Sequence, residues 1–276
     1  MTTSTRSDKE VIVGDKPLGQ KAYGSIPHLP GSRKGPGDSD IGPGPAKIAT
    51  EKARDKWDLV IIQEKLDGSC CAAANIEGKI IPLTRKGYNA WSSPFEMHLL
   101  FARWVVDHED AFLRILNPGE RAVGEWLAQA HGTIYALQHE PFVVFDIMKG
   151  HDRLPFLDVY GMCCKVGLVT PNTVHVGGPL SIQNALDLIG PHGAHRAVDV
   201  VEGAVWRVER RKGIKHPHKV DFLAKWVRPD KVDGCYLPGI GDVAWPIWNW
   251  KPDASQNANS QRHEGCANGG NCSCLR

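Results

Sequence analysis

The run WDLVIIQEKLDGSCCAAANIEGKIIPLTRKG, residues 57–87, constrains the fold more than any other part of the chain. Apolar and β-prone stretches too short for helices are cut at Asp67-Gly68 and again at Glu77-Gly78, dipeptides that turn a backbone. The pattern predicts strand, turn, strand, turn and a third short strand, an antiparallel meander with its polar residues at the turns.

Residues 94–116 change period. Phe95, Leu99, Ala102, Val106, Phe112, Leu113 and Leu116 fall on a helical stripe that Asn117-Pro118-Gly119 ends. RAVGEWLA and PFVVFDIMK read as further strands, DVYGMCCKVGL and SIQNALDLIG as short helices, and VEGAVWRVER with VDFLAKWV as a late strand pair. Strands, a helix and more strands favour an α+β domain over a regularly alternating Rossmann unit.

The flanks differ. Residues 1–20 are polar and expected to fray, and residues 21–47 hold too many Gly and Pro for a regular helix or central strand. After Arg228 the pattern fades, and the last thirty residues are expected to form a mobile tail. The 48 residues after Arg228 leave little room for an additional β-barrel domain. A domain over 21–228 with a short extension over 229–276 is therefore expected.

Apolar residues make up 42% of the chain and the formal net charge is +2, which excludes disorder throughout and a strongly basic tail protein. A local basic groove for nucleic acid is compatible with such an average. No run approaches the ~20 apolar residues that span a bilayer, and the N-terminus lacks an apolar signal core, so a cytoplasmic protein without a membrane partner is expected. Cys70-Cys71 and Cys163-Cys164 are adjacent pairs that suit reduced thiols, Cys70 and Cys71 as core residues, better than a disulfide framework.

Lys65 ends a candidate strand, with Asp67 and Gly68 after it. A lysine is a covalent nucleophile only when burial, neighbouring cations or a bound metal present it as the neutral amine. Alone, Lys-x-Asp-Gly reads as a solvated hairpin turn. Other segments weaken that reading: Thr84-Arg85-Lys86-Gly87 after the third strand, Gly124-Glu125-Trp126, Phe145-Asp146-Ile147, Glu202-Gly203-Ala204-Val205, and Lys225 within an apolar strand. Together they resemble the RNA ligase branch of the ATP-dependent polynucleotide ligases, covalent nucleotidyltransferases, over about residues 22–228.

The resemblance implies an α+β nucleotidyltransferase fold, an ATP-grasp-like ligase adenylation domain built on antiparallel sheets with flanking helices. It implies that Lys65 attacks the α-phosphorus of ATP, that AMP passes to a 5′-phosphate, and that a 3′-hydroxyl then seals the strand. Arg85 would contact ribose or phosphate, Glu125 the ribose, Phe145 the adenine, Glu202 a divalent metal (Mg²⁺ or Mn²⁺) and Lys225 the α-phosphate. Glu64 would recognise the base through backbone or side chain, and Asp67 either supports the loop or helps catalysis. Phe142 and Trp126 compete with Phe145 for stacking, and Glu125 has the alternative of an edge-strand surface acid. The implied partner is RNA with 5′-phosphate and 3′-hydroxyl ends, a nicked duplex included. Phosphoryl transfer itself requires positioning and charge stabilisation, which lysines, arginine and a metal held by acids supply.

The family's K-x-K arrangement is incomplete, since the run Leu223-Ala224-Lys225-Trp226-Val227 carries one lysine. Lys212, Lys215 or Lys219 could replace the other. Arg207, Arg210, Arg211, Lys212, Lys215 and Lys219 read as a phosphate-backbone track or as a solvated strand connection. Arg33 is a phosphate contact or part of a packed loop. His263, Cys266, Cys272 and Cys274 are zinc-ligand types, but Cys272-x-Cys274 is tighter than the usual knuckle. A minimal DNA ligase, an mRNA guanylyltransferase and a catalytically silent nucleic-acid-binding protein with a ligase-like scaffold are the alternatives. NAD is a weaker expectation than ATP, as no nicotinamide-binding domain is recognised before Lys65.

Overall fold

The computed structural model describes residue 14 and residues 16–252. Two antiparallel sheets carry the molecule. The first has the strand order β7-β1-β8-β9, from Thr173–Gly177, Asp58–Lys65, Gly203–Arg210 and Lys219–Val227. The second has the order β3-β2-β4-β5-β6, from Lys79–Thr84, Ser69–Ile76, Glu120–Trp126, Phe142–Lys149 and Asp152–Arg153. Helices α1 (Pro43–Thr50), α2 (Glu96–Asp107), α3 (Glu109–Leu113), α4 (Phe156–Val166) and α5 (Ile182–Ile189) flank them.

The expected three-strand meander is corrected. β2 and β3 form a hairpin, and Glu77 and Gly78 both adopt positive φ (52° and 85°), as a two-residue turn between right-twisted strands requires. β1 and β2 do not pair. Asp67-Gly68 instead carries the chain from one sheet to the other, because β1 lies between β7 and β8 and β2 between β3 and β4. A Cβ at Gly68 would strike the Trp126 carbonyl, so the crossing passes only with glycine there. Pro82 fits because β3 is an edge strand.

β2 is buried on both faces by small side chains. Cys71 and Ala73 join the core beneath α2, with Phe101, Trp104 and Phe112, while Ala72 and Ala74 face Tyr23, Leu83 and Val123. The single helix expected over 94–116 is broken at His108, whose ring stacks on Trp104 at 3.9 Å and whose Nδ1 lies 2.8 Å from the Trp104 carbonyl. The buried face is also rotated from the expected stripe. Phe95 and Val106 are 61% and 55% exposed, whereas Phe101, Trp104 and Val105 are buried.

α1 begins inside the Gly- and Pro-rich segment, against expectation. Pro43 stands in its first turn, where a missing N–H costs nothing. Residues 27–29 run beside β9, with Lys225 N donating to Pro27 O and Leu29 N to Lys225 O. The tail expected from 247 onward is corrected over 247–250: Ala130 N donates to Ile247 O, Asn249 N to Ala128 O, and Trp250 packs on Trp126. His263, Cys266, Cys272 and Cys274 lie outside the described residues, as does most of the expected frayed N-terminus.

Candidate active site

The sheets face each other across a groove of about 1120 Å³. The first sheet delivers Lys65 from the end of β1, and Val205 and Lys225 from the neighbouring positions of β8 and β9, with Glu202, just before β8, beneath Lys65. The second delivers Glu125 from β4 and Phe145 from β5, with Arg85 just beyond β3.

Lys65 Nζ lies 2.6 Å from Glu202 Oε2. Burial alone disfavours the ammonium, but the carboxylates of Glu202, Glu125 and Asp67 outweigh it and hold the Lys65 pKa above its ordinary value. Glu125 Oε1 accepts from Gly68 N at 3.0 Å, and burial pushes the carboxyl up to about 7 against the pull of Lys65. Burial also raises Glu202. Gly203 then enters β8 at φ 157°, where a side chain would meet the Trp226 carbonyl.

The three aromatics separate cleanly. Phe142 and Trp126 are fully buried in the core beneath α2, while Phe145 lines the groove, edge-on to Tyr23 at 5.0 Å. Phe142 and Phe145 are three residues apart on β5, so strand alternation alone puts them on opposite faces. A β-bulge follows: Val123 pairs with Asp146 and Gly124 with Val144, so Phe145 is the extra residue. The bulge re-aims the side chains after it, which keeps Ile147 in one core with Phe142 and Val144.

Asp67 holds the loop. Its Oδ2 accepts from Gly132 N at 3.0 Å, from Thr133 Oγ1 at 3.0 Å and from Lys231 Nζ. Lys231 is fully buried and escaped the sequence reading, because nothing in Arg-Pro-Asp-Lys-Val marks an inward lysine. The Glu64 carboxylate packs against Gly193 and accepts from Ala194 N at 2.9 Å, so the side chain is engaged within the protein.

Lys225 Nζ stands 3.7 Å from Asp38 Oδ1, and burial followed by repulsion from Lys65 lowers its pKa. Asp38 Oδ2 in turn lies 3.0 Å from His28 Nε2, and His28 Nδ1 lies 2.6 Å from Ser32 Oγ. The residues 28–38 therefore brace Lys225, another contribution invisible in a Gly- and Pro-rich sequence. Arg85 Nη2 donates to Ser25 Oγ at 3.2 Å in the same segment.

The expected basic track is corrected. Arg207 is buried, 2.6 Å from Asp146 and 2.7 Å from Glu209. Arg210 pairs with Asp55 and Asp58 at the opposite end of β8, seven residues from Gly203 and so about 23 Å along the strand. Arg211 lies over the Trp57 ring, and Arg33 pairs with Asp233 at 2.7 Å. None of Arg33, Arg210, Arg211 and Lys212 lines the groove. Lys219 pairs with Arg210 in register, six residues along β9 from Lys225, and Lys212 and Lys215 lie in the connection beyond, so they do not stand in for the second lysine. Of the positions two residues either side of Lys225, Leu223 lines the groove and Val227 is buried. Cys70, expected in the core, is half-buried and lines the groove.

Among the described residues no group of three or more His, Cys, Asp and Glu side chains is set to hold a metal. Glu202 and Glu125 nevertheless bring excess negative charge to Lys65, a donor set that suits a Mg²⁺ ion bound by one or two carboxylates and otherwise by phosphates.

Two facing antiparallel sheets with flanking helices and a lysine at the end of a central strand make up the α+β architecture expected of a ligase adenylation domain. Residues 58–227, more than half of the chain, match the family model described as RNA ligase, and the chain belongs to that family. A comparison with curated protein sequences finds no match. Among solved structures, an archaeal ATP-dependent RNA ligase is 16% identical with a TM-score of 0.42, the match covering 75% of this chain and 48% of that one. A Naegleria gruberi RNA ligase mutant with AMP and Mn is 11% identical with a TM-score of 0.47, covering 76% and 61%. The Naegleria gruberi RNA ligase with PPi is 16% identical with a TM-score of 0.44, covering 63% and 50%. Likenesses this weak carry no argument about activity. The matches span about half to three-fifths of those ligases.

Proposed function

We propose that this chain joins RNA 5′-phosphate and 3′-hydroxyl ends with ATP, through lysyl-AMP and an adenylated strand. The observation that carries the reading is the Lys65–Glu202 pair in a groove that also collects Arg85, Glu125, Phe145, Val205 and Lys225.

The adenine lies between Phe145 and Val205, with the backbone of Glu64 at its edge, and Glu125 and Arg85 reach the ribose and phosphates. Lys225 is the cation for the α-phosphate. Lys65 must lose a proton before it attacks, and the nearest acceptor is the Glu202 carboxylate, 2.6 Å away. A N–P bond then forms at the α-phosphorus as the bond to pyrophosphate breaks. Attack by the 5′-phosphate oxygen breaks the N–P bond and returns the lysine, and the 3′-hydroxyl, losing its proton, displaces AMP. Glu202, with Glu125, would hold a divalent cation, which when bound supplies charge neutralisation at the phosphates. Asp67 acts through the loop that Lys231 and Thr133 share with it, as a positioning residue.

The test is incubation with α-labelled ATP, GTP or NAD and Mg²⁺, then denaturing separation of wild type and Lys65→Ala. Label retained from ATP by wild type alone is expected. Absence of an adduct, after controls for pre-adenylated protein and for Mn²⁺, would replace this reading with a silent nucleic-acid-binding protein.

A further inference from the structure

The groove continues past Lys65. Beyond Gly68 one wall is made by Phe95, Met97 and His98, at the start of α2, and the other by Leu237, Pro238 and Ile240, from the chain after β9. The cations lining the groove are Lys65, Arg85, Lys86, Arg207 and Lys225, and none falls within 92–98, 129–131 or 237–246. Phosphates are recognised by cations and charge-assisted hydrogen bonds, so this arm is unsuited to a triphosphate.

What the arm offers is apolar surface, a few neutral polar groups and one exposed acid, Glu96, which further disfavours a phosphate there. Phe95 and Ile240 are 61% and 71% exposed, large apolar side chains that nothing else in the described chain covers. His98 bridges two serines, its Nδ1 2.7 Å from Ser93 Oγ and its Nε2 3.3 Å from Ser69 Oγ. Burial pushes His98 down to about 4, so the imidazole works as a neutral hydrogen-bonding group. Ser69 opens β2 just past the Asp67-Gly68 crossing, which places the polar pair on the side of the arm nearest the lysine.

We propose that this arm holds the terminal nucleoside of the strand that presents the 3′-hydroxyl, its base against Phe95 and Ile240 and its ribose hydroxyls toward Ser69 and His98. The inference rests on the ligase reading above and names a substrate position within it. Adenine is assigned to the opposite arm, at Phe145 and Val205, so the two nucleosides flank Lys65 and a strand end reaches the reacting phosphate from the far side. The arm is continuous with the lysine, which favours a strand end over a protein segment. Stacking on an exposed aromatic tolerates any base, and a ribose 2′-hydroxyl is the group that distinguishes RNA from DNA at a serine–histidine pair.

The test uses the full chain and three readouts: lysyl-AMP from labelled ATP, transfer of AMP to a 5′-phosphorylated RNA, and sealing of a preadenylated RNA to a 3′-hydroxyl RNA without ATP. Phe95→Ala and Ile240→Ala alter exposed side chains, so folding is retained. The expected result is a KM for the 3′-hydroxyl strand raised about tenfold, with the two earlier steps within about twofold of wild type. Ser69→Ala is expected to narrow the preference for a ribose over a deoxyribose terminus. An unchanged acceptor KM in both variants, or equal loss in all three steps, overturns the assignment. Loss confined to strand adenylation would put the 5′-phosphate strand in the arm and overturn it as well. Failure of wild type to form lysyl-AMP would instead defeat the ligase reading, while the preadenylated substrate still tests the arm.

Discussion

Arg207 on β8 reaches Asp146 on β5 with 2.6 Å between Nη1 and Oδ1, an ion pair that joins the two sheets at the edge of the groove. Asp146 also accepts from Tyr23 Oη at 2.8 Å and Arg153 Nε at 2.9 Å, and Arg207 donates to Glu209 at 2.7 Å. Removing the cation leaves two buried carboxylates short of a partner. Arg207→Met is expected to cost about 3–5 kcal/mol of stability, read as a fall in the urea midpoint. Arg207→Lys should restore only part, since a point charge cannot fork between Asp146 and Glu209.

Phe145 and Phe142 are three residues apart and differ in what they do. Phe142→Ala opens a cavity in the core beneath α2 and is expected to cost about 3–5 kcal/mol. Phe145→Ala removes a half-buried ring from the groove, so its expected effect is a KM for ATP raised about tenfold with a much smaller loss of stability. Melting curves beside lysyl-AMP titrations distinguish the two, and similar profiles for both variants would rule out the division of roles.

Lys231 has its ammonium within reach of Asp67, the Gly132 carbonyl and Thr133 Oγ1, and no exposure to water. Lys231→Met would strand the Asp67 carboxylate on its neutral partners. The expected outcome is a loss of about 3 kcal/mol and slower lysyl-AMP formation at saturating ATP, measured by denaturation and single-turnover labelling.

Glu64 sets a pH dependence of defined sign. Burial pushes its carboxyl up to about 7, and Oε1 has no hydrogen-bond partner. The folded chain thus holds a proton that the unfolded chain has released, so this contribution is full below the ordinary carboxylate pKa and is lost as pH rises to about 7. Glu64→Gln is expected to flatten that decline and to raise stability at pH 8 by up to about 3 kcal/mol relative to wild type. Glu125 has the same sign, so part of the slope should persist in stability measured by urea unfolding across pH.

Local readings succeeded where local chemistry decides. The Glu77-Gly78 hairpin, strands at RAVGEWLA and PFVVFDIMK, and the short helix at SIQNALDLIG are all present, since each follows from turn residues and periodicity within about ten positions. Lys65, Arg85, Glu125, Phe145 and Lys225, chosen from five separate segments, line one groove, and Glu202, from a sixth, pairs with Lys65. β7 was missed because Thr-Val-His-Val-Gly is short and half-buried, and its strand character comes from pairing with β1. The helical stripe was misphased because Phe95 and Val106, apolar in sequence, face outward while Trp104 and Val105 face in.

By itself the sequence determined the short strands, the glycines where the backbone turns or passes close, and the presence of a lysine at a strand end with acids and a second lysine further on. Only the tertiary structure decided that Asp67-Gly68 crosses between sheets, that Arg207 is a buried partner of Asp146 rather than a surface cation, and that Lys231 turns inward to Asp67. The reason is range. Turn and strand preferences act over a few residues, whereas sheet membership, burial and charge pairing depend on groups 61 residues apart for Arg207 and Asp146, and 164 apart for Lys231 and Asp67.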